Sequence, residues 1–141
     1  MKKIIFVILA LFAVVSLNCF ALAAEDASSI KVVAYYLHGS FRCSTCTNME
    51  KYSKDALETN FKDALTSGKL EFKSLNVEDR GNEHFVDHYK LYTKSLILSL
   101  VKNGKEVKYK NLDKIWELAS DKQKFIDYVI SEINGFMKDV R

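Results

Sequence analysis

Apolar and polar positions divide the chain into segments of two periods. Lys31 to Leu37 reads K-V-V-A-Y-Y-L, a nearly unbroken apolar, β-branched and aromatic run of the kind expected for a strand covered on both faces. Ser95 to Val101, S-L-I-L-S-L-V, is a second run of this type, and Leu70, Phe72, Leu75 and Val77 mark a further strand. Met49, Tyr52, Ala56, Leu57, Phe61, Ala64 and Leu65 recur at spacings of three and four. They predict one helical stripe that stops at Ser67-Gly68. Phe85, Val86 and Tyr89 place a helix within Asn82–Tyr92, with Asn82 as its N-cap. Asn103-Gly104 is a strong two-residue hairpin signal, and Glu106 to Lys110 reads as the returning strand, with Val107 and Tyr109 on one side. Ser120 and Gln123 form a capping-box pattern ahead of a last helix that turns Phe125, Tyr128, Val129, Ile133 and Phe136 inward. Residues 111–119, including Trp116, join the hairpin to that helix.

The order is β-α-β-α-β-β-α. Strands joined through helices are predicted to run parallel, with the Asn-Gly hairpin adding an antiparallel edge. A four-stranded mixed sheet flanked by helices on both faces satisfies this order, with 31–37 and 95–101 in its centre. That is an α/β, thioredoxin-like fold.

The N-terminal segment belongs to a different class. Met1-Lys2-Lys3, the apolar run Ile4–Val15 and Ala21-Leu22-Ala23 are the charged start, apolar centre and small-residue site of a secretory signal peptide. Residues 1–24 are read as that signal, cleaved near Ala23 or Ala24, and 25–141 as one thioredoxin-like domain. The mature protein is expected to be exported and periplasmic, with a lipid anchor through Cys19 as the alternative. The chain of 141 residues, 48% hydrophobic and 28% charged, has globular composition. Without Lys2 and Lys3 the 21 basic residues become 19 against 18 acidic ones, a net of +1. A nucleic-acid partner requires a basic excess, so none is expected.

Of three cysteines, the mature domain keeps Cys43 and Cys46, three positions apart, which is not the framework of a disulfide-rich scaffold. Cys43-Ser44-Thr45-Cys46 falls just past the first predicted strand and opens the first helix, the place where open α/β sheets gather their chemistry. Residues three apart on a helix share a face, and a slightly tightened first turn closes a disulfide. Unpaired N–H groups and the helix dipole favour a thiolate there. Arg42 adds a full positive charge if its side chain turns toward the sulfur. Cys43, nearer solvent, is read as the attacking thiol and Cys46 as the resolving one, with no cofactor beyond the disulfide. A structural disulfide is one alternative, of small entropic value across so short a loop. The other is a site in which Cys43 and Cys46 hold a soft metal or metalloid such as arsenic, copper or zinc. His84 and His88 are four apart on a predicted helix and are read as solvated or capping residues. His38, at the strand end, is a hydrogen-bonded core histidine or a proton carrier.

The run Tyr35-Tyr36-Leu37-His38-Gly39-Ser40-Phe41-Arg42-Cys43-Ser44-Thr45-Cys46, continuing to Met49-Glu50, resembles a family within the thioredoxin-like superfamily. The family is that of the small exported nitrophenyl-compound nitroreductase subunits of arsenical-resistance systems. The resemblance implies reduction of nitroaromatic compounds. It also implies a membrane permease or thiol-electron conduit as donor and a protein or small-molecule acceptor. No Gly-rich phosphate loop for a nicotinamide or flavin is visible. Two departures from thioredoxins matter. Their cis-proline faces the cysteines, whereas here the place is Thr93-Lys94-Ser95-Leu96 in a chain without proline. A trans peptide is expected there, with Thr93 and Ser95 as substrate wall. Their buried carboxylate on the first strand is also missing, since 31–42 holds no Asp or Glu. That leaves His38 as the candidate for proton transfer.

Overall fold

A computed structural model describes residues 30–140. The signal-peptide reading and the Cys19 alternative lie outside these residues. β1 (Ile30–His38) leads through a short loop into α1 (Ser44–Asn60) and, after a break at Phe61, α2 (Lys62–Thr66). β2 (Leu70–Asn76), α3 (His84–Tyr89), β3 (Ser95–Lys102) and β4 (Lys105–Asn111) follow. The chain closes with α4 (Ile115–Leu118), α5 (Lys122–Met137) and a 3-10 turn at Lys138–Val140. The sheet order is β2-β1-β3-β4, so the two continuous apolar runs are central, as their composition requires.

The direction of β3 corrects the sequence expectation. β1 and β2 are parallel, but β3 runs antiparallel to β1, with Leu37 opposite Ser95 and Ile30 opposite Lys102. The connection does not cross the sheet. The six residues of α3 rise only about 9 Å, whereas the seven-residue β2 is about 23 Å long. The connection's one helix is too short to lead the chain back along β2, and β3 begins at the end where β1 and β2 finish. That is the end carrying the cysteines.

Period-two alternation sends Val32, Ala34 and Tyr36 of β1 and Leu96, Leu98 and Leu100 of β3 to one face. There they pack with Met49, Ala56 and Leu57 of α1 and Phe125, Val129 and Ile133 of α5. Tyr52 and Phe125 join the two helices edge to face at 5.6 Å between ring centroids. The opposite face is narrower: Leu37 and Ile97 pack against Tyr89 of α3, with Tyr35, Leu75 and Phe85 around them. Helices thus cover both faces, one of them only in part.

Local signals divide into those kept and those overridden. Asn103 and Gly104 both take positive φ, 52° and 73°, as a two-residue hairpin demands. The last helix is capped by Asp121, whose carboxylate accepts from the Lys124 N–H at 3.1 Å, not by Ser120. The helix starts one residue later than the capping-box pattern suggested, and Gln123 turns outward to Asp127. Asn82 does not cap α3; its side chain donates to the Asn76 carbonyl at 2.9 Å and closes the turn after β2. In β4 the register shifts beside Leu100 and Val101, with Val101 opposite Glu106 and Leu100 opposite Lys108. Val107 is the extra residue of a bulge, which moves the following residues to the other face. Glu106, not Val107, therefore shares a side with Tyr109.

Candidate active site at the Cys43–Cys46 disulfide

The loop after β1 is short and is tied to the residues that end and follow β2. Ser40 N–H donates to the Glu78 carboxylate at 3.1 Å, and the Asn76 amide donates to the Ser40 hydroxyl at 3.0 Å. Both partners come from the end of β2. The Ser40 hydroxyl and N–H together hold the Glu78 carboxyl below the usual carboxylate range. Gly39 fits because a Cβ there would stand 2.5 Å from a Glu78 oxygen. The loop delivers Cys43 to the N-cap of α1 with extended backbone, φ −88° and ψ 168°.

Cys43 and Cys46 are joined in a disulfide with their Cα atoms 5.1 Å apart. The Cys46 N–H points at the Cys43 sulfur across 3.2 Å. A backbone donor and the positive end of a 17-residue helix thus both face the atom that becomes a thiolate on reduction. Cys43 is half-buried and Cys46 is fully buried, so a partner's sulfur has a route to the first cysteine and none to the second. The second sits on Tyr36, whose hydroxyl donates to the Cys46 carbonyl at 2.6 Å. Burial pushes the Tyr36 pKa up to about 12, against the lowering pull of Arg42, so at neutral pH it is a fixed donor.

Arg42 is held by partners other than the sulfurs. Its guanidinium forms an ion pair with Glu50 of α1 and donates toward Nε2 of His38 at 3.5 Å. His38 Nδ1 faces the Gly39 carbonyl at 2.9 Å, which assigns the proton to Nδ1 and leaves Nε2 as acceptor. Both ring nitrogens are engaged, and His38 acts here as a seat for Arg42. Thr93 is exposed, while Ser95 is buried with its hydroxyl donating to the Thr93 carbonyl at 3.0 Å. All peptides of the described residues are trans. The Lys94 ammonium lies 5.7 Å from the Phe41 ring centre, bringing the segment before β3 against the cysteine loop. Thr93 and Lys94 share a pocket of about 210 Å³ with His38, Gly39 and Glu78.

His84 Nδ1 donates to the Gly81 carbonyl at 2.9 Å, and His88 pairs with Glu106 at 2.7 Å. Neither reaches the sulfurs. Among the described residues no group of three His, Cys, Asp or Glu side chains is placed to hold a metal. The paired sulfurs have the arrangement of a redox-active disulfide. Tyr36, Glu50 and Glu78 are the site residues that sequence reading missed. Tyr36 was within reach by alternation from Val32 and Ala34; Glu50 was not, because it joins the site only through Arg42, eight residues earlier.

A sheet ordered β2-β1-β3-β4, with one parallel and two antiparallel pairings and a C-x-x-C disulfide opening the helix after β1, decides the architecture. The fold is thioredoxin-like. No family profile matches the chain, and no curated protein matches it. Among solved structures it is similar to Trxlp from Edwardsiella tarda EIB202, at 14% identity over 70% of this chain and 82% of that one, with a TM-score of 0.42. It is also similar to Fasciola hepatica thioredoxin, at 20% identity over 64% and 79%, TM-score 0.36. A third is Chlamydomonas reinhardtii thioredoxin f2, at 17% identity over 70% and 83%, TM-score 0.36. None of these similarities bears on the narrower resemblance read from Tyr35–Cys46 and Met49-Glu50.

Proposed function

We propose that the chain is an exported thiol–disulfide oxidoreductase that cycles through the Cys43–Cys46 pair. One observation carries the reading: the disulfide lies at the mouth of α1 with its first sulfur reachable and its second enclosed. In the cycle a donor dithiol reduces the disulfide, giving up two electrons and two protons and becoming a disulfide itself. The Cys43 thiolate then attacks an acceptor disulfide, expels one acceptor thiolate and forms a mixed disulfide. The Cys46 thiolate attacks the Cys43 sulfur, expels the second acceptor thiolate and re-forms the intramolecular bond. The signal-like N-terminal pattern supports export, and an exported dithiol requires reducing equivalents from a membrane thiol conduit or permease.

A glutathione redox titration with thiol trapping tests the proposal. The pair is expected to titrate reversibly as a two-electron couple. Cys46→Ser is expected to accumulate a mixed disulfide on Cys43, and Cys43→Ser to abolish it. A pair that does not reduce reversibly, or a Cys46→Ser variant that traps nothing, refutes the reading. The motif resemblance extends the proposal to arsenical detoxification. Arsenite added to the reduced protein is then expected to block alkylation of both thiols together, and alkylation at an unchanged rate refutes that extension.

A further inference from the structure

We propose that Glu50 and Arg42 form a charge clamp that sets the reactivity of the Cys43 thiolate: Glu50 compensates the guanidinium beside it. This rests on the redox reading above. The ion pair is half-buried, at 30% and 24% side-chain exposure, so solvent screens it less than an open surface pair. The guanidinium is fixed at two points, by the Glu50 carboxylate and by Nε2 of His38. Its anchors come from two different elements, α1 and the end of β1. Glu50 follows Cys46 by four residues on α1, so the carboxylate lies along the helix face that begins with the disulfide. Arg42 is bonded directly to Cys43.

Reduction adds a negative charge at Cys43, where the Cys46 N–H and the helix dipole already favour it. The clamp decides whether a full positive charge is added to them. With Glu50 ionised, carboxylate and guanidinium sum to zero; with Glu50 neutral, the residue next to Cys43 holds an uncompensated cation. The other polar groups around the loop are His38 and Tyr36 from β1, Glu78 from the end of β2 and Lys94 from the segment before β3. They are common to all the variants below.

The two single substitutions therefore have opposite signs. Glu50→Gln is expected to lower the Cys43 pKa, stabilise the reduced form and make the couple more oxidising. Arg42→Gln leaves Glu50 uncompensated, raises the Cys43 pKa and makes the couple more reducing. Each is expected to change the equilibrium constant with glutathione about threefold, or about 15 mV when a tenfold change is 29.6 mV. The double variant returns close to wild type, and Arg42→Lys, which keeps the charge without the fork, stays within about twofold. The measurements are the glutathione equilibrium of the full chain and the pH profile of Cys43 alkylation. Two singles shifting the same way, or neither shifting, overturn the clamp while leaving the thiol-exchange reading intact. A pair that fails to equilibrate with glutathione in every variant, wild type included, overturns both.

Discussion

Replacing Glu106 by alanine separates what holds this fold from what drives its chemistry. Paired opposite Val101 next to the hairpin turn, Glu106 turns its carboxylate under α3, where it accepts from the Tyr89 hydroxyl at 2.6 Å, the Ser99 hydroxyl and His88. Ser99 is 1% exposed and Tyr89 5%, so both hydroxyls lose their acceptor in a place poor in water. A buried donor left unpaired costs about 1–3 kcal/mol. The groove of about 390 Å³ beside them, lined by Tyr35, Phe85, Ser99 and Glu106, is open to solvent and holds each cost near the lower end. The His88 pair is half exposed and adds little. The expected loss is about 2–3 kcal/mol, or about 8–12 °C in Tm for a domain of this size. The assay is urea and thermal unfolding of the oxidised protein, with Glu106→Gln expected to fall between.

The same variant should leave the thiol couple alone. Glu106 sits opposite Val101 and the disulfide end of the sheet opposite Ser95, six residues along β3 and so about 20 Å away. Burial pushes the Glu106 pKa up, but the bonds from Ser99, Tyr89 and His88 outweigh it and bring it below the carboxylate value of 4.5. Its stabilisation is thus complete above that value and is lost as pH falls through the lower folded-state pKa. The alanine variant is expected to flatten this acid limb of the stability profile. A loss under about 0.5 kcal/mol, less than any single net hydrogen bond would cost, refutes the account of the network. A shift of the thiol couple beyond twofold refutes the separation.

Other substitutions probe single contacts. Tyr36→Phe removes the donor to the Cys46 carbonyl without orphaning it, because the helix ladder still reaches that oxygen. About 1 kcal/mol of stability is expected to go, with faster hydrogen exchange in the first turn of α1; unchanged exchange there would show that Tyr36 does not pin the turn. Asp121→Ala is expected to cost about 1 kcal/mol in denaturant unfolding and Ser120→Ala close to nothing, and the reverse order would restore Ser120 as the cap.

What the sequence revealed and what it hid follow from the range of each signal. The buried runs of β1 and β3 identified the central strands because cover on both faces leaves few polar positions, whatever the strand's direction. Direction was the error. Hydrophobic period is the same read forward or backward, and only the register of β3 against β1 shows that it starts beside the end of β2. The side of Val107 was misjudged for a similar reason, since one unpaired residue reverses the alternation without changing composition. Cys43 toward solvent and Cys46 inward was legible from position, since the first ends the loop and the second lies one turn into the helix. The partner of Arg42 was not, because reaching Glu50, eight residues on, depends on the path of a loop held by Glu78 and Asn76.

That loop also explains where this site keeps its charges. β1 is fully covered from Val32 to Ala34 and again at Tyr36 and Leu37, and an ionised carboxylate placed there would need a partner to offset several kcal/mol of desolvation. The strand has none. Carboxylates instead approach residues 39–42 from the surface, Glu78 onto Ser40 and Glu50 onto Arg42, so the groups that hold the loop are also the groups that set the field at Cys43. A substitution there should move the reactivity of the thiol with little change in stability, since exposed and half-exposed pairs hold little folding energy. One under α3 should do the opposite, because its donors are enclosed. Measured side by side, Glu50→Gln and Glu106→Ala are therefore expected to give crossed effects, the first on the glutathione equilibrium and the second on unfolding. A protein in which both quantities moved together in both variants would have its loop and its sheet mechanically coupled, contrary to a site tied down by surface carboxylates.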